Sequence, residues 1–116
     1  MNGSELLHEA GALVASGWCQ GAEARTLAGE AVEASDESAV SWSLLGALQA
    51  AAVSDDSTRM EDIGVAVAAI AELIVDPSLA HWNDVPTRTQ SVVAELLDRA
   101  ESLAEDALSA DLAITD

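Results

Sequence analysis

The chain contains no Lys, no Phe and no Tyr, and its 116 residues include one Cys, two Pro and four Arg. Each shortage excludes something. Four Arg stand against 21 Asp and Glu, for a formal charge of −17. Affinity for a phosphate backbone comes from Lys and Arg, so direct nucleic-acid binding is excluded. Docking on an anionic membrane surface is excluded for the same reason. One Cys leaves no internal disulfide framework and no Cys-based zinc site, and it fits a reducing, intracellular compartment. The opening Met1-Asn2-Gly3-Ser4-Glu5 lacks the basic segment that begins a secretory leader. No apolar run reaches the ~18–20 residues of a membrane span. The longest candidate, Ile63 to Val75, is interrupted by Gly64 and Glu72. Together these absences point to a soluble, cytoplasmic protein.

What is present suffices for one domain over residues 1–116, against a prior of about 100–200 residues per domain. Apolar residues make up 50% of the chain, so a modest core is available, although Ala supplies much of it. Ser4 is a candidate N-cap, followed by Leu6, Leu7, Ala10, Leu13 and Val14 at helical spacing and by Gly17 as a stop. Residues 22 to 37 are small and acidic and read as a loop with two helical turns. Asp36 or Ser38 can cap a second helix whose stripe is Trp42, Leu45, Leu48 and Ala52, with Leu44 alongside. Thr58-Arg59-Met60-Glu61 has the spacing of a capping box. The stripe behind it, Met60, Ile63, Val67, Ile70 and Ile74, is the most regular periodic signal in the chain. Asp76-Pro77 stops that helix, and Ser78 to Pro86 reads as a connector. Thr87-Arg88-Thr89-Gln90 is a second capping box. The last helix carries Val93, Leu96, Leu97, Ala100, Leu103, Ala104 and Ala107, and it is expected to fray after Ala110. No strand-like alternation is visible. The expected fold is all-α, a compact bundle of about four helices.

Three segments stand out. They are Gly17-Trp18-Cys19-Gln20-Gly21, Trp42-Ser43-Leu44-Leu45-Gly46-Ala47-Leu48, and Trp82-Asn83-Asp84-Val85-Pro86-Thr87-Arg88-Thr89. In order and spacing the chain resembles, from Leu6 to Ala100, a small domain family of unknown function found in bacteria and their phages. The resemblance implies a helical fold and no biochemical activity. Read physically, Asn83 and Asp84 can hydrogen-bond the backbone of a tight turn, Pro86 fixes the chain before a cap at Thr87, and Arg88 can pair with a carboxylate. Trp18, Trp42 and Trp82 each sit at an element junction. They form either a shared buried cluster or an exposed anchor for a partner.

Chemistry is sparse. Glu5-x-x-His8 is half of a carboxylate di-iron pattern, but His81 has no Glu three residues before it, so no metal site is expected. Cys19 with His8 or His81 would be a nucleophile–base pair, yet acidic surroundings raise a thiol pKa and work against activation. Asp55-Asp56 lacks the Gly of a calcium loop, and no phosphate-binding glycine loop is present. Neither catalysis nor a cofactor is expected.

The densest constellation is acidic. At about 100° per residue, Glu95, Asp98, Glu101, Glu105 and Asp106 share an arc of about 140° opposite the apolar stripe of the last helix. Five carboxylates over eleven helical steps give about one charge per 3.3 Å, against ~3.4 Å along one DNA strand. Arg99 offsets one of them through an i,i+4 pair with Glu95. Three readings stay open. The chain is a nucleic-acid mimic whose acidic face fills the basic groove of a nucleic-acid-binding protein, or a helical interaction module able to pair with another chain or with itself, or a surface adapted to high salt.

Overall fold

A computed structural model describes residues 1–114, with side chains to Ala107. The first helix, α1 (Gly3–Ser16), is started by Asn2. The Asn2 side chain accepts from the Glu5 backbone N–H at 2.9 Å, and the Glu5 carboxylate accepts from the Asn2 N–H at 2.9 Å. That reciprocal box displaces the cap expected at Ser4, whose hydroxyl donates to Asn2 instead. Leu6, Leu7, Ala10 and Val14 are buried, and Leu13 is half-buried.

The segment read as loop and helical turns forms strands, so the fold is helical with a small sheet and is not all-α. The strands β1 (Ala24–Arg25), β2 (Ala31–Val32) and β3 (Ser41–Trp42) lie in the order β2-β1-β3. Both pairings are antiparallel, with Ala24 opposite Val32 on one side and Trp42 on the other. A turn closed by the Gly29 N–H on the Thr26 carbonyl (2.9 Å) joins β1 to β2. Strands of two residues present no alternation to a sequence reading, because a period of two needs several repeats to register.

Trp42 therefore ends a strand instead of opening a helix. Helix α2 (Leu44–Val53) begins at Ser43, whose Oγ accepts from the Gly46 N–H at 3.0 Å, and not at Asp36 or Ser38. Asp36 caps its own turn by accepting from the Ser38 N–H. The shorter helix turns a different face inward. Leu44, Ala47, Leu48 and Ala51 are buried, while Leu45 and Ala52 are half-buried.

Helix α3 (Met60–Leu73) starts from Arg59, whose N–H donates to Asp62 at 2.9 Å. Thr58 and Glu61 do not form the expected box; the Thr58 hydroxyl accepts from the Met1 ammonium. Of the regular stripe, only Ile70 is fully buried. Ile63, Val67 and Ile74 are half-buried, and Met60 is 83% exposed. Ala66 and Ala69 complete the inward face, because small residues let α3 lie close to its neighbours.

The connector contains a short helix, α4 (Leu79–Asn83), capped by Ser78. Helix α5 (Gln90–Ile114) runs four residues past the expected end at Ala110. Its cap is Thr89, which accepts from the Val92 N–H, and not Thr87. The Gln90 amide donates to the Val14 and Ala15 carbonyls at the C-terminal end of α1. Val93, Leu96, Leu97, Ala100 and Ala104 are buried, and Ala107 is exposed. Helix α1 is the centre of the domain, packed against α5, α2 and α3. No helix among the described residues is long and apolar enough to cross a membrane.

Candidate functional site

The three marked segments converge on Asn83, which is fully buried. Its Oδ1 accepts from the Trp18 indole N–H at 2.8 Å and from the Leu44 N–H at 3.0 Å. Its Nδ2 donates to the Cys19 carbonyl at 3.1 Å and to Asp84 at 3.0 Å. All four positions of the amide are used, so this buried polar group carries no desolvation deficit. Asp84 also accepts from the Gly21 N–H at 3.0 Å. Asn83 and Asp84 thus bond the backbone of distant segments, not a turn of their own.

Gln20 closes the junction from the other side by donating to the carbonyls of Asn83 and Val85, each at 2.9 Å. Its place in the Gly-Trp-Cys-Gln-Gly segment was the only signal of that role in the sequence. Two glycines in the segments allow the close approach. A Cβ on Gly17 would lie 2.2 Å from the Val40 carbonyl oxygen, and one on Gly46 1.9 Å from that of Glu23.

The indoles are half-buried and each has its own partner. Trp18 and Trp42 are joined by a backbone bridge, and the Trp42 N–H donates to the Ala34 carbonyl at 3.2 Å. Trp82 lies under the Arg88 guanidinium, 3.8 Å from the ring centroid. Arg88 also donates to the Trp82 carbonyl at 2.9 Å. The carboxylate partner expected for Arg88 is absent among the described ion pairs.

Cys19 is buried, and burial pushes its thiol pKa up, away from reactivity. Its hydrogen bond runs to the Ala22 carbonyl, while His8 contacts Glu101 and His81 contacts Asp76. The nucleophile–base pairing of Cys19 with either histidine is not formed. The His81 pKa is raised by its hydrogen bond to Asp76, whose own pKa is lowered by the same contact.

The acidic residues of α5 are placed as follows. Glu95, Asp98, Glu105 and Asp106 are exposed, and Glu101 is half-buried against α1, 3.2 Å from the His8 ring. The expected Arg99–Glu95 pair is absent among the described ion pairs, which leaves Glu95 uncompensated. Instead, both residues line a small depression with Leu73, Ile74 and Trp82.

The face does not stop at α5. Glu101 and Glu105 share an open groove of about 310 Å³ with Glu5, Glu9 and His8 of α1. Asp98 and Glu101 border its continuation along Leu7, His8 and Gly11. The sequence signal for this second wall was available: Glu5, His8 and Glu9 lie off the apolar stripe of α1. Asp106 is not part of the groove lining. The arrangement presents five carboxylates along one helix–helix seam, with His8 and Met1 also in its lining. It offers strong attraction to a cationic surface. Among the described residues no cluster is arranged to hold a metal ion.

The chain belongs to a family of unknown function, DUF6197, whose model matches residues 2–103. Neither the curated proteins nor the solved structures gave a match.

Proposed function

We propose that the protein is a non-enzymatic, acidic inhibitor that binds a basic, nucleic-acid-binding protein in place of its nucleic acid. The observation that carries this reading is the seam between α1 and α5, where Glu5, Glu9, Asp98, Glu101 and Glu105 come together from two helices. Two rows of carboxylates on a rigid scaffold resemble a backbone of phosphates more closely than a single charged helix does. In the bound state they would stand opposite the Arg and Lys side chains that otherwise grip phosphate. Association of this kind is fast and falls steeply with salt. The partner class is a protein with a phosphate-gripping groove, such as the host defence nucleases that phage-encoded acidic inhibitors block; the assignment to that class is by analogy.

The test is capture from a lysate of the source organism, at low and high salt, with release by duplex DNA. The protein itself should not bind DNA. Replacing Asp98, Glu101 and Glu105 together by Gln should leave folding intact, because Gln is a good helix former and at the half-buried Glu101 it keeps the size and a hydrogen-bonding oxygen toward His8. It should slow association with the captured partner by about tenfold or more and flatten its salt dependence. Equal rates and equal salt slopes for both proteins would remove this seam from the mechanism. Failure of DNA to compete would refute mimicry.

A further inference from the structure

We propose that His8 makes the carboxylate seam pH-sensitive: on taking up a proton, its imidazole weakens the hold of the seam on a cationic partner, which is released as the medium acidifies. The inference rests on the reading of the seam as the partner-binding surface. It starts from the groups around His8. On its own helix, Glu5 and Glu9 line the same groove. Across the seam on α5 it faces Glu101 and Glu105, and Asp98 borders the continuation that His8 also lines. No residue of α2 or α3 and no Arg lines either part. The Met1 ammonium, nearby, is committed to Asp55 at 2.5 Å, and that bond raises its pKa above the ordinary 8.0, so it stays charged at neutral pH. Imidazole is the side chain whose charge changes between about pH 5 and 8, and His8 is the one imidazole in the seam.

Protonation has two effects here, and both oppose cation binding. The first is a positive charge placed among five negative ones. The second runs through Glu101, whose Oε1 lies 3.2 Å from His8 Nδ1. The His8 side chain is 74% exposed, open to solvent protons, whereas that of Glu101 is 21% exposed and leans on α1. Against a neutral ring the contact is an ordinary hydrogen bond; against a charged ring it becomes an ion pair, shorter and stronger. Glu101 is then engaged within its own chain and is a poorer partner for a cation from outside. One unit charge ~7 Å from another in water changes affinity about threefold before screening. A partner that lays several cations along the groove should therefore lose about three- to tenfold.

The second histidine supplies the contrast. His81 pairs with Asp76 ahead of α4 and lines neither part of the groove. A response of the molecule's total charge would draw on both histidines, and a response of the seam draws on His8 alone.

The probe is an oligolysine peptide of about twelve residues, whose side chains keep their charge throughout this range. Its binding to the full chain is measured from about pH 5.5 to 8 at ~0.05 M salt, and each protein is compared with itself across pH. The unsubstituted protein and His81→Gln should each lose about three- to tenfold in affinity toward the acid end. His8→Gln keeps every carboxylate, so it reports any titration of theirs, and it should stay within about twofold. A flat response of the unsubstituted protein, or an equal loss in His8→Gln, would overturn the proposal. The Asp98→Gln/Glu101→Gln/Glu105→Gln protein tells the two readings apart. If it binds the peptide at pH 8 as well as the unsubstituted protein does, the seam is not the binding surface and both readings fall. If it binds more weakly while the pH response is flat, only the role of His8 falls.

Discussion

Replacing Asn83 by Ala removes one side chain and strips partners from three groups in two distant segments at once. The Trp18 indole N–H, the Leu44 N–H and the Cys19 carbonyl lose their bonds to it, and Leu44 is fully buried. A buried donor or acceptor left without a partner costs about 1–3 kcal/mol. Trp18 is half-buried and Asp84 exposed, so water reaches part of the vacated site and the total should be about 3–5 kcal/mol. At about 2.1 cal/mol/K per residue, 116 residues unfold with about 0.24 kcal/mol/K, so ~4 kcal/mol lowers the melting temperature by about 16 °C. Asn83→Asp separates hydrogen bonding from volume. It keeps the acceptor toward Trp18 and Leu44 but turns an acceptor toward the Cys19 carbonyl and the Asp84 carboxylate. At neutral pH it should cost at least as much as Ala. Thermal and urea unfolding, followed by tryptophan fluorescence, measures both variants, with exposed Asp98→Gln as the control. A loss below ~1 kcal/mol for Asn83→Ala would show that the three segments do not depend on this amide.

Three further outcomes follow from the charged groups. Asp55 is held at a pKa of about 2, below the ordinary 3.8, first by its hydrogen bond to the Met1 ammonium. Its contribution is complete above about pH 4 and is lost as pH falls through about 2, so Asp55→Asn should flatten the acid limb of a stability–pH curve. His81 is shifted the other way by Asp76, so its contribution is complete below its ordinary pKa of 6.5 and is lost as pH rises through the raised folded value. An NMR titration of the imidazole should show the upward shift, and Asp76→Asn should abolish it. Finally, with a charge of −17, the melting temperature should rise between ~0.05 and ~0.5 M salt as self-repulsion is screened, and a flat response would refute a repulsive surface.

The long helices were legible because apolar spacing and burial coincide. Leu6, Leu7 and Val14 in α1, and Val93, Leu97 and Ala100 in α5, were read from periodicity and lie in the core. The misreadings have physical causes. A hydroxyl or amide cap is a local competition, and Asn2 prevailed over Ser4 because only Asn2 stands three residues before Glu5. Met60 belonged to a regular stripe but sits in the first turn of α3, where the helix has already left the core. The sheet escaped because its strands are two residues long, too short for a period of two to register, and because β1 pairs with β3 from Ala24 to the distant Trp42. The same holds for the Asn83 junction. Its residues were singled out, but the partners lie 39 to 65 residues away and no spacing reveals them. The acidic arc on α5 was readable from one helix alone, and Glu5, His8 and Glu9 were visible off the stripe of α1; only the meeting of the two rows required the packing of the helices.

The distribution of charge also bears on salt adaptation, the third explanation for so acidic a chain. A surface shaped for concentrated salt spreads carboxylates over every exposed side, since each part must hold its own hydration. Here five of the 21 carboxylates line the seam where α1 meets α5, and the exposed Met60 and Val65 of α3 carry no charge. Leu27, 92% exposed at the tip of the hairpin, is likewise uncovered. A uniform pressure for acidity would have filled these positions first, because exposed helix and turn sites accept Glu and Asp at little cost to the fold. Salt adaptation and partner binding at the proposed seam are separated by experiment. Their salt responses have opposite signs: electrostatic attraction across the seam should weaken as salt rises, and the stability of an acidic fold should rise as self-repulsion is screened. Measuring the two responses on one preparation, with Asp98→Gln/Glu101→Gln/Glu105→Gln abolishing the first and leaving most of the second, would separate surface function from acidity as such. If the variant changed both responses alike, the charge would be acting as a bulk property of the molecule, and a distinct task for the seam would fail.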